Sequence, residues 1–239
     1  MRVKKPGRLE DIAAAALAVF TRQGYRLTQM ADVAREAGLS AGALYSYVAG
    51  KEALFELALA EAQGLTPAGA DRFEARGLAA AAAALVAAAR SRLHRPALDA
   101  ALAGGRAGPD EIRAVATEML ALLATHRRLI WLLDRCATEI PEVASFYGTE
   151  LRGRYFRDMT RFAALAAGEA EPGPATHARA RALVEMAAWM AMHRLRDPAP
   201  PAVDDATAHA AVVEIMLASL APCPADTPRS AGGEPATGV

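Results

Sequence analysis

Apolar residues recur at three- and four-residue intervals almost from the start of the chain. Leu9, Ile12, Ala13, Ala16, Val19 and Phe20 share one side of a helical wheel, which predicts a first helix from about Arg8 to Gln23, closed by Gly24. Thr28 is placed to cap a short second helix that runs to Ala37 and stops at Gly38, and Ser40 to cap a third over about Ala41 to Val48. A fourth begins near Lys51 and continues to about Gln63, where Gly64, Pro67 and Gly69 interrupt the pattern. Further helical patterns follow over about 71–92, 97–103, 110–137, 142–167, 175–196 and 204–221. Pro96, Gly104 to Gly108, Pro141, Gly168 to Pro174 and Pro198 to Pro201 separate them. No stretch alternates as a strand would, and no fixed period suggests a solenoid. The pattern predicts an all-α fold.

Composition sharpens this. The 239 residues are 53% hydrophobic and only 5% aromatic, and the excess is mostly alanine, a strong helix former that lets helices pack closely. The formal net charge is zero, which excludes a uniformly basic nucleic-acid coat but not a local patch. Residues 1–51 carry eight basic side chains and four acidic ones, a balance of +4, and all three lysines, Lys4, Lys5 and Lys51, lie there. Residues 1–7 read as a flexible basic arm. The stretch 222–239 is rich in Pro, Gly, Ser and Thr and is expected to be disordered. Cys136 and Cys223 are too few and too far apart for a disulfide framework or a metal cluster. The basic start followed by Ile12 to Phe20 imitates a secretory signal, but Glu10 and Asp11 intervene. The longest strictly apolar run, Leu78 to Ala89, is 12 residues, short of the roughly 20 that span a bilayer. A soluble, cytoplasmic protein with no membrane partner is expected.

The informative stretch runs from Thr28 to Val48. Two short helices that cross steeply need a small residue at their contact, a glycine at the turn, and apolar residues facing the preceding helix. Ala34, Gly38 and the set Val33, Ala37, Leu39, Leu44 and Val48 supply these, at the spacing of a helix-turn-helix. Ala-x3-Gly alone is a weak signal in an alanine-rich chain. Its conjunction with Ser40, with Leu44-Tyr45-x-Tyr47 and with Lys51 is far more specific. As a set, Thr28, Val33, Ala34, Gly38, Ser40, Gly42, Leu44, Tyr45, Tyr47, Val48 and Lys51 resemble the TetR family of bacterial transcriptional regulators, over roughly residues 8–60.

The resemblance implies an N-terminal three-helix helix-turn-helix DNA-binding domain, followed by a larger helical domain for ligand binding and dimerisation. The expected boundaries are 8–63, with the connecting helix, and 64–221. It further implies that Thr28, Tyr47 and Lys51 hold phosphates of a double-stranded operator, and that Ala41, Gly42, Tyr45 and Ser46 approach base edges behind the cap Ser40. Ala31, Ala41 and Ala43 occupy places where many relatives carry a basic or hydroxyl side chain. Readout must then lean on the tyrosines, Ser46, thymine methyls and DNA shape.

A single small helix-turn-helix binds a half-site weakly, so a homodimer is expected. Val212, Val213, Ile215, Met216, Leu217 and Leu220 cover more of a helix than one core-facing stripe requires, and Leu183, Met186, Ala187 and Met190 form a second stripe. Their pairing across a two-fold axis would make a four-helix interface. Leu129 to Leu133 is apolar on every side and is expected at the buried centre of the domain. A pocket there would take a small, mainly apolar effector, lined from among Met119, His126, Trp131, Phe156, Met159, Trp189 and His193. Residues of these types also serve plain core packing. Arg152, Arg154, Arg157 and Arg161 are expected on a solvated face with Glu150 and Asp158.

No nucleophile, base or metal set is written in the sequence, and no cofactor is expected. Cys136 and His126, ten residues apart along one helix, would be separated by ~15 Å. The competing reading is a helical interaction protein whose helix-turn-helix no longer reads DNA, a reading the three alanines encourage.

Overall fold

The computed structural model describes residues 7–67, 71–92, 94–199 and 202–220. The expected basic arm, apart from Gly7, and the expected tail at 222–239 lie outside the described residues. Eleven α-helices are described: α1 Arg8–Gln23, α2 Met30–Glu36, α3 Ala41–Tyr45, α4 Lys51–Ala62, α5 Leu78–Arg92, α6 Pro96–Gly104, α7 Pro109–Cys136, α8 Pro141–Ala144, α9 Arg154–Ala167, α10 Pro174–Ala191 and α11 Asp205–Leu220. Single 3-10 turns follow α7 and α10, at Ala137–Glu139 and His193–Arg196, and a π-helical segment, Ser145–Gly153, joins α8 to α9. Among the described residues there is no strand, and the chain is all-α as its pattern requires.

Three elements depart from the periodicity, each for a local reason. The third helix ends at Tyr45 because the chain straightens so that Val48 forms a bridge with Phe73, whose N–H donates to the Tyr47 carbonyl at 2.7 Å. Residues 71–77 are therefore not helical, and α5 begins only where a carboxylate caps it. That carboxylate is Glu56, buried in α4, which accepts from the N–H groups of Arg76 at 2.7 Å and Gly77 at 2.8 Å. The expected helix 142–167 is instead α8, the π-helical turns and α9. At Gly153 a Cβ would lie 2.8 Å from the Gly148 carbonyl oxygen, so a residue without a side chain permits the wider winding there.

The core is two clusters, and they divide inside α7. One joins α1, α2, α3 and α4 to Leu132, Leu133 and Cys136 of α7 and to Ile140, Val143 and Phe146. The other packs the N-terminal half of α7 with α6, α9, α10 and α11, around Leu98, Met119, Phe162 and Met216. The first four helices thus share their core with the C-terminal end of α7. Polar bonds hold the same junction. Arg135 of α7 donates to the Gln23 carbonyl at 2.6 Å, and Glu139 accepts from the Arg26 N–H at 2.7 Å. Between them sits Gly24, with φ of 85°, where a Cβ would meet Glu139 Oε1 at 2.8 Å.

Candidate nucleic-acid interface and ligand cavity

The α2–α3 turn is built as a steep crossing demands. Gly38 adopts a φ of 66°, and its neighbour Leu39 donates back to the Ala34 carbonyl at 2.8 Å, closing α2 with a left-handed glycine. Ser40 Oγ then accepts from the Ala43 N–H at 3.2 Å and starts α3. Leu44 and Val48 are buried in the core cluster that α1, α2 and α4 share. That anchoring turns the opposite side of α3 outward, so that Ser40, Ala41, Gly42, Tyr45 and Ser46 are all exposed. Tyr45 is 49% exposed and points a large apolar ring with a phenol at its tip away from the protein. Tyr47 is half-buried against the head's core. Lys51 Nζ, at the start of α4, donates to the Arg26 carbonyl at 3.1 Å and lies over the Tyr25 ring at 4.7 Å. Partial burial lowers its pKa, and Glu139 opposes that shift. Asp32 accepts from the Gln29 N–H at 3.0 Å and from the Gln23 amide at 3.2 Å, and the backbone bond is the chief reason its carboxyl is held below the usual range.

Behind this head lies a cavity of about 720 Å³. Met119, Leu122, Leu123, His126, Leu129, Ile130 and Leu133 form one wall, a single stripe along α7 at three- and four-residue spacing. Residues of the π-helical segment close the cavity from one side, among them Phe146, Tyr147 and Leu151, and Val184, Ala188 and Met192 from another. The rim is charged. Arg152 pairs with Asp134 of α7 at 3.5 Å and Glu185 of α10 at 2.5 Å, and Tyr147 donates to Asp134. Arg95 pairs with Asp99 at 3.0 Å and Asp158 at 2.8 Å. The arrangement is an apolar trough with paired charges across its mouth, and it offers an orienting polar edge rather than a nucleophile with its base.

Residues 12–58, from within α1 to within α4, match the family model described as bacterial regulatory proteins, tetR family. Over these residues the chain is similar to the TetR family. Two solved structures share its fold along nearly the whole length. A bacterial regulatory protein in the tetR family from Rhodococcus RHA1 is 20% identical, with 92% of this chain and 100% of that chain covered at a TM-score of 0.51. A TetR-like transcriptional regulator from Rhodococcus sp. RHA1 is 19% identical, with 92% and 98% covered at a TM-score of 0.50. No curated protein matches the sequence.

Within this fold the candidate residues divide. Ser40, Ala41, Gly42, Tyr45 and Ser46 lie together on the exposed side of α3. Thr28 does not join them: it is 1% exposed and its hydroxyl donates to the Gly24 carbonyl at 2.7 Å, so a phosphate cannot reach it, and Gln29 takes the capping position. Arg72 is the residue the sequence pattern missed. The Val48–Phe73 bridge carries it to the end of α3, where Nη1 donates to the Tyr45 carbonyl at 3.3 Å.

Of the expected ligand contacts, Met119, His126, Phe156 and His193 line the cavity. Met159 is instead fully buried in the second core cluster, Trp189 is 37% exposed on the surface of α10, and Trp131 faces α1 beneath Arg196. Leu129 to Leu133 is not buried throughout, since only Leu132 and Leu133 are. Arg152, Arg154 and Arg157 line the cavity mouth with Glu150 rather than a featureless solvated face. Cys136 is buried, and burial pushes its thiol up to about 12, which removes any role as a thiolate nucleophile. No described helix is long and apolar enough to cross a membrane.

Proposed function

We propose that the protein is a dimeric, ligand-responsive transcriptional regulator, acting as a repressor that an effector releases from a palindromic operator. The observation that carries this reading is that one helix, α7, forms a wall of the cavity with its middle and packs against the DNA-binding head with its end. An occupant that shifts α7 therefore acts directly on α1 and the turn preceding α2. A ligand changes DNA affinity only through such differential binding to two arrangements.

The head is read as spanning 8–63 and the effector domain as spanning 64–221. Tyr45, Ser46 and the small residues Ala41 and Gly42 face bases, while Lys51, Tyr47 and Arg72 stand near the phosphates. The effector has an apolar body with a polar end, matching an apolar trough with a charged mouth. Dimerisation uses α10 and α11, where Trp189 and Ile215 stay exposed at 37% and 41%.

Footprinting on the DNA flanking its own gene tests the reading. A two-fold footprint with half-sites one helical turn apart is expected. Protection of no segment, at salt low enough to favour phosphate contacts, would favour a head that has lost DNA readout, as the scarcity of donors on α3 would allow.

A further inference from the structure

A second, smaller cleft lies on the other side of α7, between it and α1. Its volume is about 400 Å³, and Ala14, Leu17 and Ala18 of α1 form its floor. Among the described residues, two buried side-chain polar atoms lack a hydrogen-bond partner, Thr21 Oγ1 and Trp131 Nε1. They come from different helices, and both residues line this one cleft. Buried polar atoms are nearly always satisfied, so two unsatisfied ones on residues that line one cleft point to a bound group. The indole N–H is a donor only, so that group must present an acceptor.

The charges say which kind. The cleft is lined by Arg22, Arg128 and Arg196 and by no carboxylate. Arg22 reaches outward to Glu36 at 3.0 Å and Arg128 to Glu61 at 2.6 Å. Arg196 lies over the Trp131 ring at 4.8 Å and, among the described residues, makes no ion pair. A water would satisfy the indole but leave the Arg196 guanidinium without a counter-charge, whereas an oxyanion answers both.

We propose that this cleft binds a small oxyanion, a phosphate or carboxylate group whose oxygens accept from Trp131 Nε1 and Thr21 Oγ1 and whose charge faces Arg22, Arg128 and Arg196. It is separate from the large cavity, and because it is shared by α1 and α7 its occupant ties the head to the effector domain.

Indole N–H resonances of the full-length protein, uniformly labelled with nitrogen-15, test this. The two tryptophans are distinguished by the loss of one peak in Trp131→Phe. Inorganic phosphate and acetate are titrated separately against chloride at fixed ionic strength. The Trp131 indole peak is expected to move saturably with at least one anion while the Trp189 peak stays, and Thr21→Val and Arg196→Gln should each weaken the affinity about tenfold. Saturation by phosphate alone assigns a phosphoryl ligand, and saturation by acetate alone a carboxylate. A Trp131 peak unmoved by both anions, or moved equally by chloride, overturns the proposal, as does an affinity unaffected by both substitutions.

Discussion

At the scale of single residues, what the head does depends on a few side chains whose partners the structure names. Tyr45 is exposed while Leu44 beside it is buried, so Tyr45→Ala should leave thermal stability nearly unchanged yet lower operator affinity about tenfold, by loss of one base or sugar contact. Electrophoretic mobility shifts and a melting curve read the two effects separately. Glu56 is the opposite case. Its buried carboxylate accepts from two backbone N–H groups, so Glu56→Ala should destabilise the fold by about 2–4 kcal/mol in urea unfolding. Asp32 has its pKa lowered in the folded state, mainly by the Gln29 N–H. Its stabilising effect relative to Asp32→Asn is therefore complete above the ordinary carboxyl pKa, and it is lost as pH falls through the lowered value. Equal acid-unfolding curves for the two proteins would contradict that bond. The head's glycine, capping serine and buried leucine were legible in the sequence because each local geometry demands a particular residue type. The true roles of Thr28 and Glu56 were not legible. Nothing local distinguishes a threonine that caps from one that bonds back to Gly24, and Glu56 finds its donors twenty residues away.

At the scale of elements, periodicity located α1, α4, α7 and α11 to within a few residues but could not say what each face meets. On α7 the stripe through Met119, His126, Ile130 and Leu133 borders the cavity, while Trp131, one residue round the helix, faces α1. Both look alike as an apolar pattern, which is why Trp131 was expected in the pocket. The fifth helix was overextended in the sequence reading for a related reason. Phe73 is held by a bridge to Val48 that no short-range pattern encodes. The π-helical segment tests the cavity's construction, because six of its residues line the void and Gly153 permits its winding. Gly153→Ala should force that segment towards ordinary α-winding and change effector affinity while leaving the head's DNA binding without effector intact. Isothermal titration and mobility shifts separate the two. For α10 and α11, a paired Trp189→Asp and Ile215→Asp substitution should give a folded monomer in light scattering, since both side chains are exposed in the single chain. A persistent dimer would move the interface elsewhere.

At the scale of the whole molecule, the first four helices and the cavity-bearing helices share α7 and are joined at its end by Arg135 and Glu139. If that lock carries the effector's signal, Glu139→Gln should reduce the difference in DNA affinity between effector-bound and effector-free protein more than it reduces either affinity alone, which is a coupling effect rather than a binding one. The claim beneath all of this is that α3 and its neighbours bind DNA. The most direct test is the affinity of the full-length protein for the DNA beside its own gene, measured across a range of salt concentrations and compared with unrelated DNA. The account predicts tighter binding to the former, with log affinity falling linearly with log salt, and a shallower slope for Lys51→Ala and Arg72→Ala. Equal, salt-insensitive affinity for both DNAs, or slopes unchanged in both variants, would contradict it.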